Sequence, residues 1–160
     1  MAHARGGARL SEHLNPDMRL GSKTQAALAE GGWTHVVLQE RSDAPVRTRA
    51  AYLRAALALC DQIREIGALP IVYATWAYAS ECPKLQKLGM THAEMHERLQ
   101  AAFAETAAEC DAELANVGAV FFEAPKDSDS GGLYSADLVH PSENGAALAA
   151  AVISRTILGQ

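Results

Sequence analysis

The sequence predicts an α/β fold built on an open parallel sheet, and two observations carry that expectation. Three short apolar runs, THVVLQ (34–39), LPIVYATW (69–76) and GAVFFEA (118–124), read as strands, and none alternates cleanly between apolar and polar residues. A continuous apolar run suits a strand buried on both faces, as in a parallel sheet covered by helices. The intervals between the runs, and the stretch after the last, carry helical patterns. Strand and helix in alternation give right-handed crossovers and a sheet with helices on its faces. At 160 residues and 17.0 kDa the chain suits one domain, residues 1–160, around one core.

Each element follows in order. The first strand is the 34–39 run. Residues 47–66 then carry Ala51, Leu53, Ala55, Leu57, Leu59 and Ile63 among Arg and Glu, and Gly67 is placed to stop that helix. The second strand is the 69–76 run. Residues 92–115 carry Met95, Leu99, Ala102, Phe103, Thr106 and Cys110 at helical spacing. Their entry, THAE, lets Thr91 cap the helix while Glu94 completes a capping box. The third strand is the 118–124 run. A last helix over 143–157 carries Ala149, Val152, Ile153 and Ile157 on one face, with Ser142 as its N-cap.

Bulk properties exclude several function classes. With 14 Lys and Arg against 19 Asp and Glu the net charge is -5, and no basic face accumulates for a nucleic acid. No apolar stretch approaches the length of a bilayer span, so no membrane partner is expected. The opening MAHARGGARLSEHL has no apolar core of the kind a signal peptide needs. Cys60, Cys82 and Cys110 are widely spaced and odd in number, which suits free or buried thiols.

In parallel sheets ligands bind beyond the carboxyl ends of the strands. QERSDAP follows the first strand, TWAYASE overlaps and follows the second, and LYSADLVHPSENG (133–145) follows the third. The last segment places Asp137 three residues before His140. An aspartate beside an imidazole can fix its tautomer and leave the other ring nitrogen free to take a proton. The same spacing also fits a turn capped by Asp137 with His140 on the surface.

The context gives the pair its meaning. The blocks HVVLQERSDAP (35–45), YATWAY (73–78), NVGAVF (116–121) and LYSADLVHPSENGAALAAAVI (133–153) resemble those of SGNH (GDSL-type) hydrolases. The resemblance runs from RGGARL (5–10) to the end of the chain and is most specific in the last block. It implies a three-layer α/β/α, flavodoxin-like sheet and ester hydrolysis by a Ser-His-Asp triad, with no metal or organic cofactor. The substrate class implied is an acyl or acetyl ester of a small molecule or carbohydrate. Asp137 and His140 match the family's acid and base. Gly7, with Gly6 as the alternative, matches the glycine whose N–H serves the oxyanion hole. Where the family usually has an asparagine donor, this chain offers Gln39, Ser42 and Asp43. Gln39 is the better chemical substitute, because an amide donates to an oxyanion.

The resemblance also implies an absence. The family's GDS- or GNS-type block, which carries the nucleophilic serine between a first strand and a first helix, has no counterpart here. The chain is therefore expected to lack that strand, serine and helix, together with any export signal that preceded them. Ser11, Ser42, Ser80 and Ser135 lack the strand–turn–helix elbow that exposes a nucleophile. A hydrolase of this lineage that is inactive as this chain is one reading, and a non-catalytic protein that keeps the ligand pocket is the alternative. Without the family's first strand, residues 34–39 would form a bare edge at which copies could self-associate.

Trp76, Tyr78 and Tyr134 could line an acyl or sugar pocket, although Trp and Tyr are also common at core edges. His92 and His96, four apart, suggest a solvated helix face rather than a metal site, since no third ligand is fixed beside them. His3, His13 and His35 have no evident partner in the sequence.

Overall fold

The structure is a computed structural model and describes residues 1–124 and 132–160. Its elements run α1 (Leu10–Leu14), α2 (Arg19–Glu30), β1 (His35–Leu38), α3 (Ala44–Arg47), α4 (Arg49–Glu65), β2 (Leu69–Ala74), α5 (Pro83–Leu88) and α6 (His92–Glu109). Then follow β3 (Glu113–Asn116), α7 (Val117–Glu123) and α8 (Glu143–Leu158). The three strands form one sheet in the order β1-β2-β3. Strands β1 and β2 are parallel, with His35 opposite Leu69 and Leu38 opposite Val72. Helices flank the sheet, so the α/β class read from the sequence holds. Among the described residues no helix is long and apolar enough to cross a membrane.

Two of the expected strands form where expected, and the third does not. GAVFFEA is helical, lying almost wholly in α7, and the strand is the less apolar ELAN just before it. The side-chain oxygen of Asn116 accepts from the Ala119 amide at 3.1 Å, which satisfies one of the free N–H groups of the first turn and starts the helix there. A seven-residue apolar run has no period that separates a buried helix from a strand, and here the cap decides. The helix expected over 92–115 accordingly stops at Glu109. Asp111 takes a left-handed φ of 44°, and the Ala112 amide bonds back to the Ala107 carbonyl at 2.9 Å.

The chain divides into two compact units. One comprises Met1–Tyr73 with Ala102–Leu114, the other Ala74–Ala101 with Ala115–Gln160. In the first unit, α4 buries Tyr52, Ala55, Ala56, Leu59, Cys60 and Ile63, a stripe at i, i+3, i+4 spacing. Phe103 of α6 meets Tyr52 edge to face, with ring centroids 5.9 Å apart. Cys60 and Cys110 are free, fully buried thiols hydrogen-bonded to each other. By the sheet order β1 is an edge strand, and its Val37 is exposed.

In the second unit, Met95 and Leu99 of α6 and Val117 and Phe121 of α7 are buried. The capping box at Thr91 forms as expected: the Glu94 carboxylate accepts from the Thr91 amide at 2.7 Å, and the Thr91 hydroxyl accepts from the Glu94 amide at 3.2 Å. Helix α8 starts at the expected cap, with the Ser142 hydroxyl accepting from the Gly145 amide at 3.2 Å.

Candidate acid–base site

The segment Leu133–Ser142 folds back on itself before α8. Tyr134 and Pro141 form an antiparallel bridge. The Ser135 amide donates to the His140 carbonyl at 2.9 Å, and the Ser142 amide to the Leu133 carbonyl at 2.9 Å. This narrow loop carries Asp137 and His140 at its tip. Leu138, between them, sits at φ 61°, a left-handed conformation that an unbranched glycine takes freely and a leucine does not.

Asp137 organises the tip. Its Oδ1 accepts from the Ser135 hydroxyl at 2.7 Å, the Val139 amide at 3.0 Å and the His140 amide at 2.9 Å. Its Oδ2 meets Nδ1 of His140 at 2.5 Å. A carboxylate only accepts, so Nδ1 is the donor, and the neutral ring then carries its lone pair on Nε2. Both side chains reach solvent, with His140 at 71% and Asp137 at 48% exposure, so a reacting group has access to the imidazole.

The same bonds set the acidity of Asp137. Donation from the His140 amide is the largest cause, followed by the His140 ring and the Ser135 hydroxyl, and together they hold the carboxyl well below its ordinary value of 3.8. A depressed carboxyl stabilises the folded loop fully above 3.8, and that contribution is lost as pH falls through the lower folded value. Carbon-detected NMR titration of the Asp137 carboxyl is expected to give a midpoint below 3.8. A midpoint at or above that value would contradict the geometry.

Trp76 and Tyr78, expected to face a pocket, are buried at 7% and 6% exposure. The Trp76 ring stacks on Phe121 at 4.1 Å and 8°, and its Nε1 donates to the Val139 carbonyl at 3.0 Å. Tyr134 is half-buried, and its hydroxyl donates to the Ala77 carbonyl at 2.8 Å. Trp76 therefore reaches the backbone of the Asp137–His140 loop, and Tyr134, from that loop, reaches the backbone that follows β2. Ser135, set aside as a nucleophile in the sequence, serves as a donor to Asp137. Its signal in the sequence is only the S-x-D spacing that such local side-chain bonds favour.

The other candidates lie in the first unit. Gly7 takes φ 69° in an exposed turn closed by the Ala8 amide on the Arg5 carbonyl at 3.0 Å. A positive φ there explains why a glycine stands at this point. Gln39 is exposed just past β1, and Ser42 is half-buried. Asp43 is engaged by Arg41 at 2.7 Å and by Arg47 at 3.4 Å, and as a carboxylate it cannot act as a donor to an oxyanion. Glu40 was not singled out by sequence reasoning. It is buried at 4% exposure and accepts from the Leu10 amide at 3.2 Å and the Arg41 amide at 2.8 Å. It thus ties the start of α1, three residues past Gly7, to the end of β1. Burial raises its pKa, against the pull of those two amides.

The histidine pair on α6 departs from expectation. His92 and His96 do not form a solvated face but are half-buried against Phe122, with ring centroids 5.4 Å and 3.9 Å from it. His92 Nδ1 also lies 2.7 Å from the Tyr78 carbonyl. Among the described residues no group of three His, Cys, Asp or Glu side chains is placed to hold a metal ion.

No protein-family model matches the sequence, and no curated protein does. Among solved structures, a protein of Slackia heliotrinireducens assigned to the SGNH hydrolases is 48% identical. It superposes with a TM-score of 0.90 over 97% of this chain and 82% of its own. The chain belongs to the SGNH hydrolase family. A DUF4886 family protein from Bacteroides uniformis shares the fold, with a TM-score of 0.71 at 16% identity over 98% of this chain and 70% of its own.

Proposed function

We propose that the chain carries the acid–base half of an ester hydrolase acting on an acyl or acetyl ester of a small molecule or carbohydrate. The observation that carries this reading is the Asp137–His140 contact at 2.5 Å on an exposed loop tip. In the proposed reaction Nε2 of His140 takes the proton of a serine hydroxyl as its oxygen attacks the ester carbonyl. Asp137 holds the ring and stabilises the imidazolium that forms. The imidazolium then protonates the departing alkoxide, leaving an acyl-serine. Water, deprotonated by the same nitrogen, then attacks the acyl carbon, and the imidazolium returns that proton to the departing serine oxygen as the acid is released.

Among the described residues, the two serines nearest His140 in sequence are both engaged by other groups. In the unit that holds His140, the Ser135 hydroxyl is on Asp137 and the Ser142 hydroxyl is on the Gly132 carbonyl at 2.5 Å. The 160 residues alone are therefore expected to hydrolyse p-nitrophenyl acetate no faster than buffer. Joining a strand, serine elbow and helix from an SGNH hydrolase ahead of Met1 is expected to confer turnover that His140→Ala abolishes. Turnover by the 160 residues alone that a single change such as Ser42→Ala removes would show that a nucleophile is present. Turnover of the joined protein that survives His140→Ala would refute the role of His140.

A further inference from the structure

We infer that Trp76 is a positioning residue for His140, acting through its indole N–H, rather than part of a substrate pocket. The inference rests on the acid–base reading above and adds the device that keeps the pair aligned. Asp137 organises the tip from within, but Asp137 and His140 are exposed and Leu138 is in a left-handed conformation that persists only where surrounding contacts fix it. Those contacts come from the segment that follows β2. Trp76 Nε1 donates to the carbonyl of Val139, the residue immediately before His140, at 3.0 Å. The Ala79 amide donates to the Leu138 carbonyl at 3.0 Å, and the Tyr134 hydroxyl to the Ala77 carbonyl at 2.8 Å. Two successive carbonyls of the tip are thus held by buried donors 63 and 59 residues away in sequence, from 139 − 76 and 138 − 79.

The indole is itself fixed. Its ring is stacked on Phe121, and Phe121 meets Tyr134 edge to face with centroids 5.8 Å apart. Val139 is buried at 6% exposure, so its backbone is gripped on the side-chain face as well. Fixing the Val139 carbonyl fixes the peptide plane that leads into His140. That plane carries the amide bonded to Asp137 Oδ1, and the ring bond to Oδ2 depends on the same alignment. At position 76 the indole thus combines a stacking ring with a side-chain donor at its edge.

Trp76→Phe separates the two parts, keeping a stacking ring and deleting the donor. The readout is the tautomer of His140 by long-range proton–nitrogen NMR of its ring, at about pH 9, where an imidazole is neutral. In the unaltered protein the Nδ1–H form is expected to dominate. In Trp76→Phe the ratio of Nδ1–H to Nε2–H is expected to fall by about 3- to 10-fold, the range that one lost hydrogen bond supports. If Trp76→Phe fails to fold, Tyr134→Phe removes the bond to Ala77, and a fall in the same ratio is expected of it. A folded variant whose ratio equals that of the unaltered protein overturns the positioning role and leaves the acid–base reading intact. An unaltered protein whose His140 is mainly Nε2–H overturns both.

Discussion

Gly145→Ala is expected to destabilise the protein by about 3 kcal/mol and to lower its melting temperature by roughly 6–12 °C. A Cβ at this position would stand 2.2 Å from the Leu133 carbonyl oxygen and 3.0 Å from Cζ of Phe121. The phenyl edge can yield, but the carbonyl cannot, because it accepts from the Ser142 amide and closes the base of the His140 loop. The first turn of α8 and the loop must therefore separate. Alanine otherwise gains up to about 1 kcal/mol over glycine inside a helix, so the sign of the effect is informative. Differential scanning calorimetry decides it, and an unchanged or higher melting temperature would mean that α8 does not pack on Leu133 as described.

Gly118→Ala is expected to act in the same direction, by about 2–3 kcal/mol and roughly 4–12 °C. Its Cβ would lie 2.5 Å from the Thr75 carbonyl oxygen and 3.1 Å from the Thr75 carbonyl carbon. The Gln100 amide nitrogen at 3.0 Å belongs to a side chain and has more room to move. Thr75 directly precedes Trp76, so the strain falls on the segment that holds the His140 loop. The same calorimetric comparison checks it, with stabilisation as the contradicting result.

These two glycines show what the sequence made legible and what it did not. HPSENG and NVG could be read as family blocks, and the D-x-x-H spacing allowed the Asp137–His140 contact that the structure shows. The reason that each block ends or turns on a glycine could not be read, because the opposing atoms, Leu133 O and Thr75 O, are brought close only by packing. Most of the buried side of α6 was legible: Met95, Leu99, Ala102, Phe103 and Thr106 are buried, as is Cys110 just past its end, whereas the buried Ala107 was not singled out. On α4 the stripe was misphased: Ala55, Leu59 and Ile63 are buried, whereas Ala51 is exposed and Tyr52, Ala56 and Cys60 complete the face. GAVFFEA was misread because an apolar run carries no period, and the Asn116 cap that makes it helical is a single side-chain bond.

The site divides along the same line. Local chemistry, such as Asp137 with His140 or Ser142 with Gly145, is written in spacings of three. The contact of Trp76 with Val139 and that of Glu40 with Leu10 join residues far apart in the chain, and no pattern in either segment announces them. Trp76 therefore reads in sequence as a pocket residue, and in the fold its polar atom turns toward the loop backbone.

Asp137 is expected to hold His140 as an Nδ1–H imidazole with Nε2 unprotonated. The most direct measurement is the ring-nitrogen spectrum of His140 in the unaltered protein and in Asp137→Asn, both recorded where the ring is neutral. Mainly Nδ1–H is expected in the unaltered protein, with a marked gain of Nε2–H in Asp137→Asn, whose neutral amide no longer presents a carboxylate to Nδ1. The same tautomer distribution in both proteins would contradict this expectation.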